Sequence, residues 1–247
     1  TGGPTSFRIR YPPHFTALSP MLVVAPSDEV TDRRGPVALA GRAAPLVLRC
    51  AAHRELEVDL AACEADVASW LAYLAVRYGP WAHGDAMTVF VWGPGRGMEY
   101  DGATTAAVGA LEHEVFHSWF GRGVKPARAS DGWIDEAWTS WATAARRVEQ
   151  PRFGAEALTL DDPPVLLAPP HPWSRYTPRP AYAEGSRLFA GVAELLGGPD
   201  RLRSAMAAWY RANRSGLVTT QGLAEHLTGW SGVDLTPWWD RYVHGRG

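Results

Sequence analysis

Cysteine is scarce in this sequence, with Cys50 and Cys63 the only two among 247 residues. That excludes a disulfide framework, and two ordinary buried thiols are the expectation. Lysine is scarcer still: Lys125 stands alone among 24 basic residues, the rest being arginine, a bias from which no function is read. Neither sign of charge dominates, since the formal net charge is -2 and the pI about 6.4. This excludes the basic surface that a nucleic-acid partner needs and the acidic run of a disordered tail. Missing too is any run of about 20 apolar residues able to span a bilayer, and Thr1-Gly2-Gly3-Pro4 does not open a signal peptide. The first residue is not Met, which suggests a processed product or a fragment. The cytoplasm is the expected compartment, secretion stays open, and the oligomeric state is not legible.

What is present is an H-E-x-x-H pattern, His113-Glu114-Val115-Phe116-His117, within the stretch from Ala107 to Gly121. On a helix, positions i and i+4 share a face, so both imidazoles converge on one point while Glu114 sits beside it. That is the pattern of a zinc site with a built-in base. Thr104-Thr105-Ala106-Ala107 offers cap and helix formers upstream, and Gly121 and Gly123 supply stop signals, so a helix is predicted over the motif. Two surface histidines without a metal are the plain alternative.

A zinc hydrolase takes three protein ligands and leaves the fourth position to water. Eighteen residues separate His117 from Glu136, which lies in Ser130-Asp131-Gly132-Trp133-Ile134-Asp135-Glu136. Ser130 or Asp131 is predicted to cap a second helix with Glu136 in its early turns. Trp133, Ile134, Ala137, Trp138 and Trp141 predict burial there, and a buried carboxylate needs a cation. The alternative for Glu136 is a solvated helix carboxylate.

Two further motifs stand in order around these: Gly97-Met98-Glu99-Tyr100 upstream and Tyr182-Ala183-Glu184-Gly185 downstream. With them the chain resembles the gluzincin metallopeptidases of the aminopeptidase N and leukotriene hydrolase family. The resemblance runs from about Met21 to the end, takes in Val218-Thr219-Thr220, and corresponds to that family's catalytic portion alone. It departs at Arg96, Tyr100, Ala137 and Glu184, where the family has Gly, Asn, Gly and Lys, which touches substrate preference more than zinc. The glycyl aminopeptidases look similar at the same ligand and base positions, but the ligand spacing favours the first family. The resemblance implies a thermolysin-like zincin domain with one zinc per chain on His113, His117 and Glu136. It further implies Glu114 as general base, Tyr182 as donor to the oxyanion, and a substrate-binding segment of Gly97, Met98 and Glu99 in which Glu99 pairs with a free α-amine.

Along the chain, Phe7 to Tyr11, Met21 to Val24, Val37 to Ala40 and Leu46 to Arg49 predict strands of a small sheet. Glu57 to Tyr78 reads as a helix packed on that sheet and stopped at Gly79-Pro80. Ala86 to Trp92 reads as a buried strand that delivers Gly97-Met98-Glu99 to a sheet edge, where a peptide can pair. Prolines crowd from Pro163 to Pro180 around His171, Trp173 and Tyr176; a connector is expected there, with a substrate-cleft wall the alternative. Helices are predicted from Tyr182 to Leu196, from a cap at Asp200 to Asn213, near Leu223 to Leu227 after Thr219 or Thr220, and over Pro237 to Tyr242 after Asp234. The predicted fold class is α+β, one catalytic domain in three parts. These are a sheet-containing lobe with one long helix (1–103), a zinc-binding helix pair (104–150), and a Pro-rich connector with an all-helical lobe (151–247), the site lying between lobes.

The function predicted from these readings is zinc-dependent hydrolysis of peptide bonds by an aminopeptidase, with a peptide or small molecule as the partner. The alternatives are a zinc endopeptidase, a hydrolase of non-peptide amides, esters or epoxides, and a zinc-bearing module that binds peptides without turnover. Glu114 speaks against the last. Pairing of Glu99 with Arg96 would blunt any preference for a free amine.

Overall fold

A computed structural model of the chain describes residues 20–93, 97–144, 156–169 and 177–247. Its sheet has five strands: β1 (Val30–Val37), β2 (Leu46–His53), β3 (Ala86–Val91), β4 (Met98–Tyr100) and β5 (Ala103–Ala106). They lie in the order β1-β2-β3-β5-β4. The inner pairs β2–β3 and β3–β5 are parallel, whereas β1 and β4 are antiparallel to their neighbours and form the two edges. Parallel β2 and β3 require a crossover, which is α1 (Leu60–Arg77). Asp59 starts that helix by accepting from the N–H groups of Ala61 and Ala62 at 3.0 Å each. Its buried stripe of Cys63, Val67, Leu71 and Leu74 joins one core with Leu46, Leu48, Cys50 and Ala52, the residues of β2 that alternate to a single face. Cys50 and Cys63 are free buried thiols, as expected.

The sheet differs from the predicted one in ways that local pattern could not show. β1 reads Val-Thr-Asp-Arg-Arg-Gly-Pro-Val, without apolar alternation. It is held by pairing to β2 and by the ion pairs Arg33–Glu64 at 2.7 Å and Arg49–Asp32 at 2.9 Å. Met21 to Val24 is not a strand, and Leu22 and Val24 are exposed. Of Val37 to Ala40 only Val37 belongs to one. The Phe7 to Tyr11 segment lies outside the described residues. Thr104 and Thr105 do not cap the motif helix: they sit in β5, where β-branched residues suit the pleat and Thr104 Oγ1 donates to the Met98 carbonyl at 3.0 Å.

The remaining elements are mostly helical. The motif lies on α2 (Leu111–Phe116), and α3 (Trp133–Ala144) packs along α4 (Pro180–Leu195). They are followed by α5 (Pro199–Asn213), α6 (Thr220–Ser231) and the short α7 (Thr236–Trp238), which runs into a π-helical turn at Trp239–Val243. Thr219 caps α6 as predicted, its Oγ1 accepting from Gly222 N at 3.0 Å. Asp234 accepts from Thr236 N at 2.9 Å at the start of α7. Asp200 does not cap α5, which begins at Pro199 after Gly198. Asp131 does not cap α3 either: its two oxygens accept from Arg128 N at 3.1 Å and Thr220 N at 2.7 Å, closing a 3₁₀ turn and tying α6 to it.

A small parallel pair not read from the sequence, β6 (Lys125–Pro126) with β7 (Leu217–Val218), joins the loop after α2 to the segment before α6. Among the Pro-rich residues, Val165 and Ala168 donate to the carbonyls of Arg241 and Val243 at 3.1 and 2.9 Å, which fastens this part to the C-terminal turn. His171, Trp173 and Tyr176 lie outside the described residues. An aromatic chain from Tyr78 through Trp138 to Phe189, with ring centroids 6.3 and 5.3 Å apart, links the end of α1 to α3 and α4. Among the described residues no helix is long and apolar enough to cross a membrane.

Candidate active site

β5 runs almost directly into α2 through a 3₁₀ turn at Val108–Ala110 that has no side-chain cap. The helix is short, yet it spans the motif: His117 keeps right-handed helical dihedrals and donates its N–H to the His113 carbonyl at 3.3 Å. The two imidazoles therefore lie on one face, with centroids 4.6 Å apart. In the first turn of α3, Glu136 meets them: its Oε2 lies 3.0 Å from His113 Nε2 and 3.5 Å from His117 Nε2. One donor atom from each of the three residues falls within 4.8 Å of the others. Two imidazole nitrogens and a carboxylate are the donor set of a catalytic zinc site, so the residues present fit that ion. His117 turns its Nδ1 away from this point to a hydrogen bond with Asp135 Oδ1, which leaves Nε2 facing Glu136.

Glu114 is buried beside the cluster, and its Oε2 has no hydrogen-bond partner among the described residues. Gly97 packs its backbone on that carboxyl so closely that a Cβ would lie 2.1 Å from Oε1. Gly121, at φ +107, does the same for Asp135 at 2.2 Å. Glu99, on edge strand β4, brings a carboxylate oxygen within 4.8 Å of donor atoms of Glu114 and His117, while Met98 beside it is exposed. The Tyr182 hydroxyl, from the first turn of α4, donates to Glu136 Oε1 at 2.7 Å. The chain thus gathers His113, His117, Glu136, Glu114, Glu99, Gly97 and Tyr182 around one point, whereas the Met98 side chain is exposed. Among the described residues the cation hydrogen-bonded to Glu99 is Arg122; Arg96 lies outside them.

No family model and no curated protein matches this sequence. Solved structures do. A mutant M1 zinc metallopeptidase from Deinococcus radiodurans, bound to a Tyr-Ser-Ala substrate, superposes with a TM-score of 0.69 at 18% identity over 88% of this chain and 52% of its own. Legionella pneumophila aminopeptidase A, in complex with aspartic acid, gives 0.67 at 17% identity over 87% and 28%. Native yeast LTA4 hydrolase gives 0.56 at 15% over 87% and 39%. The chain has an M1 zinc metallopeptidase fold. It spans about half the length of the Deinococcus protein and less of the other two.

Within this M1 fold the electrostatics favour positive charge at the cluster of His113, His117 and Glu136. Burial pushes the Glu114 carboxyl up to about 8, with the Glu99, Glu136 and Asp135 charges adding to the rise and His117 opposing it. Burial also works against an ionised Glu136, but His117 and His113 hold it well below the usual carboxylate range. For His117, burial is outweighed by Asp135 and Glu136, so its proton is held well above the usual imidazole range. Burial holds the His113 imidazole below its usual range, so four acidic groups crowd a site whose described cations are His117 and Arg122, and a divalent ion would relieve that imbalance. Sequence reasoning missed Asp135 and Arg122. Asp135 offered a weak signal, being next to Glu136 in a helix with few other polar residues, whereas nothing local pointed to Arg122.

Proposed function

We propose that the chain is the catalytic portion of a zinc-dependent metallopeptidase that removes residues from the amino end of peptides. The observation that carries this reading is the convergence of His113, His117 and Glu136 beside the buried, unpartnered oxygen of Glu114. When bound there, zinc acidifies water and polarises a carbonyl. Glu114, buried away from bulk solvent, takes the proton of the attacking water and returns it to the leaving amine. Tyr182, whose hydroxyl already lies against the ligand cluster, is the donor for the developing oxyanion. Glu99 receives the substrate's ammonium, with Gly97 and Met98 of the same segment alongside the peptide. The Tyr-Ser-Ala substrate and aspartic acid bound by the structurally similar proteins agree with a peptide as substrate. The division into residues 1–103, 104–150 and 151–247, with the site between a sheet-bearing and a helical lobe, belongs to the same proposal.

One observation favours a second reading. Because Arg122 already shares the charge of Glu99, the site can serve peptides without a free amino end, as an endopeptidase or a hydrolase of other amides and esters. Elemental analysis and a peptide digest test the main reading together. One zinc per chain is expected, lost in His117→Ala and kept in Glu114→Gln, with turnover abolished in both. Full turnover by Glu114→Gln would remove the mechanism. Tyr182→Phe is expected to lower kcat on the order of a hundredfold with little change in KM.

A further inference from the structure

The carboxylate of Glu99 is shared. Its Oε1 accepts from Arg122 Nη2 at 3.3 Å, and the two side chains are only 14% and 15% exposed. The loop that carries Arg122 is fixed from several sides: Arg122 N donates to His117 O at 2.9 Å, Val124 N to Trp119 O at 2.9 Å, and Ser215 N to Gly123 O at 2.7 Å. A second pair, Lys125 Nζ with Asp101 Oδ1 at 2.8 Å, ties the same loop to the turn between β4 and β5. The hairpin bearing Glu99 is therefore anchored at Asp101 independently of Arg122. Arg122 Nε has no hydrogen-bond partner among the described residues, so the contact with Glu99 is single rather than forked. What Arg122 supplies to Glu99 is chiefly charge.

From this geometry we infer that Arg122 sets how strongly the site distinguishes a free from a blocked amino end, by offsetting the charge that Glu99 presents to the substrate. The inference rests on the reading of Glu99 as the amine-binding group. A carboxylate oxygen of Glu99 reaches the Glu114 and His117 side of the site, so an ammonium docking there meets the guanidinium across the same carboxylate. Repulsion between two charges about 6 Å apart in a partly screened site corresponds to about three- to tenfold in affinity. The substrate class that follows is peptides with either a free or an acylated amino end, the free form only modestly preferred. Arg122 is thus a specificity-determining residue and takes no part in the bond-breaking step.

The test uses zinc-loaded protein carrying Glu114→Gln, which binds without turnover, titrated calorimetrically with Tyr-Ser-Ala and with its N-acetyl form. Adding Arg122→Gln is expected to tighten the free peptide about three- to tenfold and leave the acetylated one unchanged, whereas Arg122→Lys, which keeps the cation, should preserve the parent ratio. Should the Gln variant melt early, Arg122→Met carries the same expectation. An unchanged ratio on removing the cation, or an equal rise with Lys, overturns the role of Arg122. Glu99→Gln separates the underlying reading: if it leaves a parent preference for the free amine intact, Glu99 is not the amine site and both ideas fall. If Glu99→Gln abolishes the preference while the Arg122 variants change nothing, only the inference about Arg122 is lost.

Discussion

At Gly97 the requirement is an absent side chain, because a Cβ would intrude on the end of Glu114. That obstructed carboxylate is flexible and the backbone is not its cause, so the functional atom moves first. Gly97→Ala is accordingly expected to keep its zinc and a thermal midpoint close to the parent's while kcat/KM falls on the order of a hundredfold. A normal rate would show that Glu114 has room to spare. Asp135 acts through His117, whose Nδ1 it holds. Asp135→Asn preserves size but removes the charge, and zinc affinity read by chelator competition should weaken about 10- to 100-fold. Unaltered affinity would mean that packing alone orients His117, which is only 1% exposed.

The elements set the distances that single residues cannot. Glu136 reaches the histidines because α3 lies close to α2, and α3 is in turn held by α4. Gly185 of α4 faces Ala137 of α3 so tightly that a Cβ on it would lie 2.5 Å from Ala137 Cβ. Ala137 immediately follows Glu136, the proposed ligand, and Tyr182 sits one turn before Gly185. Gly185→Ala should therefore push the two helices apart at Glu136, costing about 1–3 kcal/mol in urea unfolding and weakening zinc binding together. Loss of stability with full zinc affinity would uncouple the helix contact from the site. Helix α1 and strand β3 were legible because their apolar spacing repeats over many residues. Strand β1 was not, since its polar sequence is stabilised by neighbours distant in the chain. The threonines of β5 suit a cap or a strand equally, and only pairing with β3 and β4 decides between them.

For the whole molecule, His83 couples acidity to stability outside the cluster of His113, His117 and Glu136. It is buried, with Nε2 2.8 Å from the Ser118 carbonyl, and burial pushes its pKa down to about 4. An unfolded histidine titrates near 6.5, so below that pH the unfolded chain takes up the proton more readily than the folded one. The stability this represents is complete above about 6.5 and is lost as pH falls toward 4, by about 3 kcal/mol in all. Urea midpoints at pH 7 and pH 4.5 should therefore fall further in the parent than in His83→Gln, the difference between the two isolating His83 from the acidic cluster. Equal falls would assign the acid sensitivity elsewhere.

The sequence by itself determined the residue types of the site and the elements whose signals are local. An i, i+4 histidine pair needs only a helical turn to converge, and the periodic apolar stripes of α1 and α4 and the Thr219 cap act within a few residues. Tertiary structure decided what depends on long-range approach. The meeting of Glu136 with the histidines required the packing of α3 on α2. Asp135 found His117, and Arg122 found Glu99 from 23 residues away, through buried charges whose pairing leaves no periodic trace in the chain. Tyr182 turned to Glu136 rather than to open space because a buried carboxylate oxygen needs a donor and the helix contact supplies one at 2.7 Å.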